Sequence, residues 1–441
     1  MKYLIIGNSA AGISGAEAIR KRDRDGEMTM VSKENHSPYS RCLLSYYLAG
    51  DINEKKLLFR PEDFYKKNKI KAVLGKKVRK IEPKKSKVFL DDGEELTYDR
   101  LLIAAGASSK LLKIKGEDKK GVFGLRTVED AQNILKMVEG GAKVAAVLGG
   151  GLIGLKAAYG LRKRGLRVKV IIKSNRVLSQ MLDEAAAAIL RKRIEENGIE
   201  VITGLAAGEV LAKDGSVRGL KLDNGEDVDC RLVIIGKGVA PNVDLVEGTE
   251  LKTNRGILVD ESQETNISHI YAAGDVAETV DMVSGERSIN ALWPCAVEQG
   301  RTAGHNMALP ESGSREEKKC KYAGSIGMNS VEFFDLPVIS IGMARPREGG
   351  GYEEIVMNLP ERNLYRKIVL KDGLIVGAIL VGRINNAGVI LALIKDKIDV
   401  SGLRGEMLKD NFDYSKVVHL MKEKRFSEMD RLFNQMKPFV V

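Results

Sequence analysis

The stretch Ala142–Ser174, AKVAAVLGGGLIGLKAAYGLRKRGLRVKVIIKS, carries the strongest fold signal in this chain. It begins as an apolar strand, passes through Gly149, Gly151 and Gly154, continues with helical spacing and ends in a second apolar strand. Glycine at these positions allows a tight turn, close approach of the backbone to a pyrophosphate, and close packing of the helix on the strand. The stretch therefore predicts a Rossmann-like unit that binds a dinucleotide.

A less regular copy of the same pattern opens the chain. The strand KYLIIG leads into GNSAAGISGAEAIRKR, where Gly7 and Gly12 hold the outer glycine positions and Ser9 replaces the middle glycine. Glu34 follows the next strand, about 20 residues past Gly12, where a carboxylate binds a ribose hydroxyl. Two such units predict two dinucleotides in one chain; the alternative is a single-cofactor protein in which one glycine turn has no binding role.

The composition is that of an ordinary soluble globular protein. The chain has 441 residues, 44% of them hydrophobic and 30% charged, and no run approaches the roughly 18 apolar residues of a membrane span. The net charge is +11, but basic and acidic residues interleave and only 5% are aromatic, which disfavours nucleic-acid binding. The first strand runs straight into glycine, unlike a signal peptide, so we expect a cytoplasmic protein.

Four cysteines lie far apart, with no CxxC pair: Cys42, Cys230, Cys295 and Cys320. This spacing disfavours a disulfide framework, a zinc site or a two-cysteine redox motif, so thiol chemistry would rest on one cysteine, and we expect no metal site. Cys42 stands in SPYSRCLLSYYLAGD, after Arg41 and at the start of an expected helix. A helix N-terminus and an arginine both lower a thiol pKa, as a nucleophile requires. The alternative is that Cys42 is a small buried hydrophobe.

Further segments complete an ordered set of motifs. YDRLLIAAGASS (Tyr98–Ser109) and TNISHIYAAGDVAE (Thr265–Glu278) each run a strand into Ala-Ala-Gly, and LVIIGKGVAPNVDL (Leu232–Leu245) and LWPCAVEQGRTAGHNMA (Leu292–Ala308) accompany them. With the two glycine loops, the set resembles the FAD-dependent pyridine nucleotide–disulfide oxidoreductases of the glutathione reductase-like class, over essentially the whole chain. In that family, segment 232–245 would close the nicotinamide domain and segment 292–308 would cover the flavin ring.

The resemblance implies an α/β fold with two Rossmann-like dinucleotide-binding domains and an α+β C-terminal dimerisation domain. The FAD-binding domain would be discontinuous, residues 1–115 and 247–318, with the NAD(P)H-binding domain at 120–246 and the dimerisation domain at 320–441. A mixed-charge hinge, Pro310–Lys319, precedes the last domain. Within that domain, YRKIVLKDGLIVGAILVG predicts a hairpin that turns at Lys371–Gly373.

The resemblance also assigns nucleotide-binding residues by position. For FAD they are Gly7, Ser9, Ala10, Ala11, Gly12, Lys33, Glu34, Arg41, Val78, Ala105, Gly106, Arg126, Gly274, Asp275 and Ala296. For NAD(P)H they are Gly149, Gly151, Leu152, Ile153, Gly154, Lys156, Lys173, Arg176 and Gly238. Lys173 and Arg176 stand where an NAD site usually has an acid, which favours NADPH or tolerance of both nucleotides; alternatively they are ordinary exposed charges. Lys156 departs from the family, whose members usually carry glutamate there, near the nicotinamide.

The segment around Cys42 separates two groups within the family. PYSRCLLSYYLAG resembles the active-site segment of coenzyme A disulfide reductases, persulfide reductases and NADH oxidases, in which a single cysteine faces the flavin. Rubredoxin reductases and the flavin subunit of nitrite reductase share PYSR…LLS but carry proline where Cys42 stands. By the same resemblance, a tyrosine of the partner subunit, Tyr365 or Tyr414, would reach the thiol.

The sequence therefore predicts an FAD-dependent NAD(P)H oxidoreductase that reduces a sulfur–sulfur bond through the redox cysteine Cys42. The small-molecule substrate would be coenzyme A persulfide, polysulfide or coenzyme A disulfide, the reductant NADPH or NADH, and the assembly a homodimer. One alternative is a reductase for an acidic rubredoxin or ferredoxin, which the net charge of +11 would steer. Others are an NAD(P)H oxidase and a flavin-binding redox sensor that no longer turns over.

Overall fold

The structure is a computed structural model that describes residues 1–310, 318–347 and 349–424. The chain divides into two compact units: Met1–Lys173 with Gly198–Ser325, and Ser174–Asn197 with the described residues from Ile326 onward. The predicted division into three domains stays a prediction. Most of the predicted hinge Pro310–Lys319, and residues 425–441 of the predicted third domain, lie outside the described residues. In the part of the chain that is described, no helix is long and apolar enough to cross a membrane.

The chain forms short strands and helices. Up to the second glycine loop they are β1 (Lys2–Ile6), α1 (Ala10–Arg22), β2 (Glu27–Ser32), α2 (Leu44–Ala49), α3 (Phe64–Lys67), β3 (Ile70–Leu74), β4 (Val78–Glu82), β5 (Lys87–Leu90), β6 (Glu95–Thr97), β7 (Arg100–Ile103), β8 (Ala107–Ser109), β9 (Val122–Phe123), α4 (Val128–Glu139) and β10 (Val144–Leu148). From there to the end of the first unit, and including α6 of the second, they are α5 (Leu152–Lys163), β11 (Arg167–Ile172), α6 (Glu184–Glu196), β12 (Ile199–Thr203), β13 (Ala207–Lys213), β14 (Ser216–Leu222), β15 (Asp227–Asp229), β16 (Leu232–Ile235), β17 (Val239–Pro241), β18 (Ile257–Leu258), β19 (Ile270–Ala272), β20 (Ala277–Val280), β21 (Arg287–Ser288) and α7 (Trp293–Met307). The remaining elements are β22 (Met328–Phe333), β23 (Leu336–Gly342), β24 (Glu353–Leu359), β25 (Leu364–Lys371), β26 (Leu374–Val381) and α8 (Ala387–Lys395).

Two five-stranded parallel sheets of the first unit arrange four of their strands in the same order and differ in the origin of one edge strand, β19 or β9. Their strand orders are β19-β7-β1-β2-β3 and β9-β16-β10-β11-β12, and a glycine loop follows the central strand of each, β1 and β10. Both central strands are apolar and almost entirely buried, as a strand covered on both faces of a parallel sheet must be. The two predicted Rossmann-like units are confirmed.

Small residues bring α7 close to α1 in the first unit. A Cβ atom on Gly300 would lie 2.1 Å from the Ala11 carbonyl oxygen, and one on Gly304 would lie 2.2 Å from that of Gly15. Only glycine permits this backbone approach. The packing fixes the N-terminal turn of α7, which carries Trp293, beside the first glycine loop.

The second unit contains an antiparallel sheet with the order β22-β23-β26-β25-β24. β25 and β26 form the predicted hairpin, and Lys371 pairs with Leu374 across a two-residue turn. Asp372 and Gly373 have φ angles of 50° and 76°, as a type I′ turn requires, so the hairpin prediction is confirmed. The dimerisation role of this region stays a prediction.

Candidate functional site

One cavity in the first unit gathers the first glycine loop, the end of β2 and Cys42. Its volume is about 550 Å³, within the range of small-molecule sites. Every residue predicted to bind FAD lines it except Gly12. Gly12 lies inside α1, where a Cβ atom would stand 1.9 Å from the Gly7 carbonyl oxygen, so its role is to let the helix pack against the loop.

The first glycine loop presents a helix N-terminus to this cavity. Gly7 has a φ angle of 111°, and a Cβ atom on it would lie 2.2 Å from the Ala104 carbonyl oxygen. Ser9 is the N-cap of α1, but its side chain makes no capping hydrogen bond. Ser9, Ala10 and Ala11 all line the cavity. Because the first-turn amides are not capped by that side chain, this end of the cavity favours an anion such as a diphosphate.

A hydrogen-bonded network surrounds Glu34 at the end of β2. Its Oε1 atom lies 2.5 Å from Arg41 Nη2, and the Tyr39 hydroxyl donates to its Oε2 atom at 2.5 Å. Burial alone would raise the pKa of Glu34, but the charge of Arg41 and the hydrogen bonds from Tyr39 and Arg41 lower it overall. The carboxylate therefore stays ionised, and its remaining lone pairs can accept ribose hydroxyls.

Arg126 and Asp275 form a second charged pair on the cavity wall. Arg126 Nη2 lies 2.5 Å from Asp275 Oδ2, and Arg126 Nε donates to the Ala107 carbonyl oxygen at 3.2 Å. The Arg126 carbonyl oxygen accepts a hydrogen bond from Arg41 at 2.7 Å. These contacts join the segment before α4 to the loop after β19, which are far apart in sequence.

Cys42 opens into the cavity from the 3₁₀ turn Arg41–Leu43, just before α2. The expected lowering of its pKa is wrong: desolvation by the surrounding protein raises the pKa of the thiol, and the Ser40 side-chain hydrogen bond and the charge of Arg126 offset this only in part. Both expected causes are weaker than the sequence suggested. The helix after Cys42 has only six residues, and the charge of Arg41 is paired with Glu34.

The second glycine loop repeats the backbone geometry of the first. Gly149 has a φ angle of 124°, and a Cβ atom on it would lie 2.4 Å from the Gly236 carbonyl oxygen. A Cβ atom on Gly154 would lie 2.0 Å from the Gly149 carbonyl oxygen. Gly151 is the N-cap of α5, so the predicted residues Leu152 and Ile153 form its first turn. This end of α5 suits the pyrophosphate of a dinucleotide.

The predicted basic residues near this loop have different surroundings. Lys173 is exposed directly after β11. Arg176 belongs to the second unit, where its Nε donates to the Leu182 carbonyl oxygen at 3.2 Å and holds the loop before α6. Lys156 points to aromatic side chains, with its Nζ atom 4.9 Å from the ring centroid of Tyr46 and 5.4 Å from that of Tyr159.

Helix α5 is fastened to α2, the helix that follows Cys42. Arg164 Nε donates to the Leu48 carbonyl oxygen at 2.8 Å, and Lys163 Nζ lies 2.5 Å from Asp51 Oδ1. Gly160 allows the approach, since a Cβ atom there would lie 3.2 Å from Leu48 Cγ. The helix that follows the second loop is thus in direct contact with the helix that follows the cavity thiol.

The two tyrosines predicted to act in the partner subunit differ in exposure. Tyr365 is 2% exposed, and its hydroxyl donates to Asp183 Oδ2 at 2.5 Å within the second unit. Burial and this bond raise its pKa, so the contacts do not favour a role at a thiol. Tyr414 is 52% exposed. Gly238, predicted for the nicotinamide site, follows β16 with a φ angle of 86°.

Some cavity residues were not predicted. Asn242 donates to the Ala105 carbonyl oxygen at 2.8 Å and accepts from the Ser108 hydroxyl at 2.7 Å. In the sequence, the feature that could have indicated Asn242 is the pair Pro241-Asn242 shortly after the buried strand β16. Lys77 and Arg79 also line the cavity, but they lie in a surface stretch without a pattern that singles them out.

Comparisons with known proteins agree with this arrangement. Residues 1–300 match the family model of the pyridine nucleotide-disulphide oxidoreductases. The chain belongs to this family. Residues 328–398 match a second model, the C-terminal domain of rubredoxin NAD+ reductases.

Members of the family resemble the chain along most of its length. It is 31% identical over 411 residues to the epsilon subunit of the NADH-dependent phenylglyoxylate dehydrogenase of Aromatoleum evansii, covering 92% of this chain and 94% of that one. It is 36% identical over 320 residues to the NADH oxidase of Methanocaldococcus jannaschii, covering 71% of each. A solved NAD-dependent persulfide reductase from A. fulgidus superposes with a TM-score of 0.85 at 27% identity, over 98% of this chain and 84% of that one.

The protein is therefore an NAD(P)H-dependent flavoprotein oxidoreductase, with FAD and a pyridine nucleotide as cofactors. The residues of the cavity fit FAD. An uncapped helix N-terminus suits its diphosphate, and the ionised carboxylate of Glu34 suits a ribose. The second loop has the same backbone geometry for a pyrophosphate, and a Cβ atom at Gly149 or Gly154 would clash with a backbone oxygen there.

Proposed function

We propose that the protein passes electrons from NAD(P)H through FAD to a sulfur–sulfur bond, with Cys42 as the redox thiol. The supporting observation is that Cys42 lines the same cavity as the first glycine loop, Glu34 and Asp275. When bound, FAD supplies a two-electron carrier between the nicotinamide and sulfur. The similarity to a persulfide reductase favours a coenzyme A persulfide or polysulfide, with coenzyme A disulfide as a related substrate. A homodimer with the predicted three domains is part of the proposal.

Cys42 would reduce a persulfide R–S–SH in two steps. The Cys42 thiolate attacks the terminal sulfur, a Cys42–S–SH persulfide forms, and R–S⁻ leaves and takes a proton from water. Two electrons and a proton that originate from NAD(P)H then break the new sulfur–sulfur bond, which restores the thiolate and releases H₂S. The net reaction consumes NAD(P)H, R–S–SH and one proton, and yields NAD(P)⁺, R–SH and H₂S. Arg126 assists because its charge favours the thiolate.

An anaerobic titration tests this proposal. Wild type, Cys42→Ser and the control Cys230→Ser are titrated with NADPH and then NADH while the flavin spectrum is recorded. Each protein is first incubated with coenzyme A persulfide and freed of the excess, so that Cys42 carries a persulfide. We then expect wild type and the control to take up more than the two electrons of FAD, and Cys42→Ser to take up only two. Only the first two proteins should then release sulfide from coenzyme A persulfide. Identical uptake of two electrons by all three proteins would contradict a redox role for Cys42.

A second candidate function is reduction of an acidic rubredoxin or ferredoxin. Residues 328–398 match a domain model named for rubredoxin reductases, and the net charge of +11 supports attraction of an acidic partner. This function predicts a reduction rate that falls with salt and that survives Cys42→Ser. Direct reduction of oxygen, as the name of the M. jannaschii relative describes, would be measured as oxygen consumption without any added acceptor.

A further inference from the structure

The Tyr39 hydroxyl bonds to residues at the end of β2, in the turn before α2 and at the start of α4. Tyr39 is 7% exposed, and its hydroxyl donates to Glu34 Oε2 at 2.5 Å. The same oxygen accepts hydrogen bonds from Arg41 Nη1 at 3.0 Å and from the Val128 backbone N–H at 3.2 Å. A hydroxyl has one proton to donate and two lone pairs, so its hydrogen-bonding capacity is fully used in these contacts.

These bonds hold the start of α4 and, with it, Arg126. Val128 is the first residue of α4, so its N–H has no acceptor within the helix, and the Tyr39 hydroxyl supplies one. Arg126 lies two residues earlier, and its carbonyl oxygen accepts a hydrogen bond from Arg41 at 2.7 Å. The segment that carries Arg126 is thus bonded to the turn that carries Cys42, both directly and through Tyr39.

The position of Arg126 matters to the thiol. Desolvation has the largest effect on the pKa of Cys42 and raises it. The Ser40 side-chain hydrogen bond and the charge of Arg126 lower this pKa, whereas the charge of Asp275 raises it. Because Arg126 Nη2 lies 2.5 Å from Asp275 Oδ2, the two opposite charges act on the thiol from almost the same place. A small displacement of Arg126 would therefore change how far its charge offsets that of Asp275.

We propose that Tyr39 is a positioning residue, whose hydroxyl ties the turn of Cys42 to the segment of Arg126 and so holds the thiol beside this cation. Tyr39 itself does not line the cavity, so it acts through Arg41 and Val128 rather than on a substrate. The inference deepens the proposed function. Its effect on turnover rests on the redox role of Cys42, but its effect on thiol reactivity does not.

Alkylation of the FAD-loaded enzyme by iodoacetamide tests the thiol without turnover. Cys42 is exposed, and Tyr39→Phe should slow its alkylation by about 3- to 10-fold below pH 9.0, the factor for one lost hydrogen bond. Tyr3→Phe is the matched control, because Tyr3 is 3% exposed and also donates to a carboxylate, Asp23 Oδ2, at 2.9 Å. Tyr3 lies at the start of β1, away from the glycine loop, so its variant should keep the wild-type rate.

Two substitutions at Val128 test the same link from the helix side. Proline is favoured at the first residue of a helix, and Thr127 before it is already extended, with φ −116° and ψ 161°. Val128→Pro removes the N–H that donates to Tyr39, whereas Val128→Ala shortens the side chain and keeps this N–H. We expect slower alkylation of Cys42 only in Val128→Pro, with no further loss when Tyr39→Phe already carries the change.

Sulfide release separates this inference from the proposed function. After reduction with dithionite and removal of the excess, Tyr39→Phe should release sulfide from coenzyme A persulfide about 3- to 10-fold more slowly than wild type and Tyr3→Phe. If wild type released no sulfide but the alkylation rates followed the expected pattern, the proposed function would fail and the positioning role would stand. An unchanged or faster alkylation rate in FAD-loaded Tyr39→Phe would refute the positioning role alone. Equal rates in Val128→Pro and Val128→Ala would refute it as well, and this pair decides if Tyr39→Phe loses FAD.

Discussion

The two nucleotide loops of the first unit have nearly the same backbone. Gly7 and Gly149 have φ angles of 111° and 124°. A Cβ atom on Gly7 would lie 2.2 Å from the Ala104 carbonyl oxygen, and one on Gly149 would lie 2.4 Å from that of Gly236. The glycine that ends each loop is as tightly placed, with a Cβ atom of Gly12 or Gly154 at 1.9 or 2.0 Å from a backbone oxygen. The shared geometry therefore follows from glycine at matching positions.

The loops differ in what stands at the end of the following strand. After β2, Glu34 is 11% exposed and paired with Arg41. The equivalent residue after β11 is Ser174, whose hydroxyl donates to the Arg176 carbonyl oxygen at 2.8 Å; the exposed Lys173 precedes it, as Lys33 precedes Glu34. The comparison teaches that the loop places the phosphates of each dinucleotide, whereas the residue after the next strand determines how the ribose is recognised. Two cofactors can thus share one backbone design.

The largest expected effect comes from adding a methyl group to one glycine loop at a time. Gly7→Ala should abolish FAD binding, because the new methyl group would meet the Ala104 carbonyl oxygen and the residue would keep a left-handed backbone. Gly149→Ala should retain FAD and lose NADP⁺ and NAD⁺ binding. Flavin absorbance per protein and calorimetry measure the two losses.

Matched controls separate the clash from the backbone strain. Gly93 and Gly225 have φ angles of 91° and 89°, and nothing lies within 4 Å of a Cβ atom on either. Gly93→Ala and Gly225→Ala should therefore keep both cofactors. If Gly149→Ala lost FAD as readily as Gly7→Ala does, the two loops would not serve separate nucleotides.

The acid that distinguishes the first loop should also stabilise the fold. Glu34→Gln leaves the guanidinium of Arg41 without a charged partner, and we expect it to lower the free energy of unfolding by about 3 kcal/mol at neutral pH. Glu200→Gln, which breaks the more exposed pair with Lys169, should have little effect. Urea denaturation of both variants measures the difference.

The stabilisation by Glu34 should depend on pH in one direction. Its folded pKa is below the ordinary value of 4.5, so the contribution is complete above 4.5 and disappears as the pH falls through the folded pKa. Glutamine does not titrate, so the difference between wild type and Glu34→Gln should shrink below pH 4.5. A difference that grew in acid would mean that Arg41 does not hold the carboxylate ionised.

Local patterns predicted the fold better than the site. Apolar strands, glycine turns and the Asp372–Gly373 hairpin are set by neighbouring residues, so the sequence displays them directly. The pairing of Arg126 with Asp275 joins residues 149 positions apart, and no periodicity reveals such a contact. The sequence named both residues through family position, but it could not indicate that they neutralise each other.

The pKa of Cys42 shows why the electrostatics could not be predicted. The sequence places Arg41 next to the thiol, but it does not show that Glu34 takes up the arginine charge. Nor does it show how far the surrounding protein desolvates the sulfur, which is the largest effect on its pKa. Charge adjacency in a sequence is therefore a poor guide to the charge that a thiol experiences.

Alkylation kinetics compare the thiols that belong to the two nucleotide-binding regions. Because the pKa of Cys42 is above the ordinary thiol value of 9.0, its rate with iodoacetamide should rise about tenfold per pH unit without a plateau below pH 9.0. Cys230 is 2% exposed and burial raises its pKa to about 12, so it should stay unmodified. Peptide mass spectrometry of the reduced enzyme follows both residues. A plateau near neutral pH would show that Cys42 is an activated thiolate.

The smallest expected effect concerns the position two residues past the third glycine of each loop. In the first loop this is Ser14, which is 4% exposed, whereas in the second it is Lys156, which lies against the ring of Tyr46 on α2. Lys156→Met keeps the length and helix propensity of the side chain but removes the cation, and should cost about 0.5–1 kcal/mol of unfolding free energy.

A double-mutant cycle with Tyr46→Leu isolates this contact from other effects of the two substitutions. A coupling energy of about 0.5–1 kcal/mol would mean that the cation–π contact helps to hold α5 against α2. A coupling energy near zero would leave that task to Arg164 and Gly160, whose contacts with Leu48 do not depend on the charge at position 156. In that case a glutamate at this position could replace Lys156 without loosening α5 from the helix that follows Cys42.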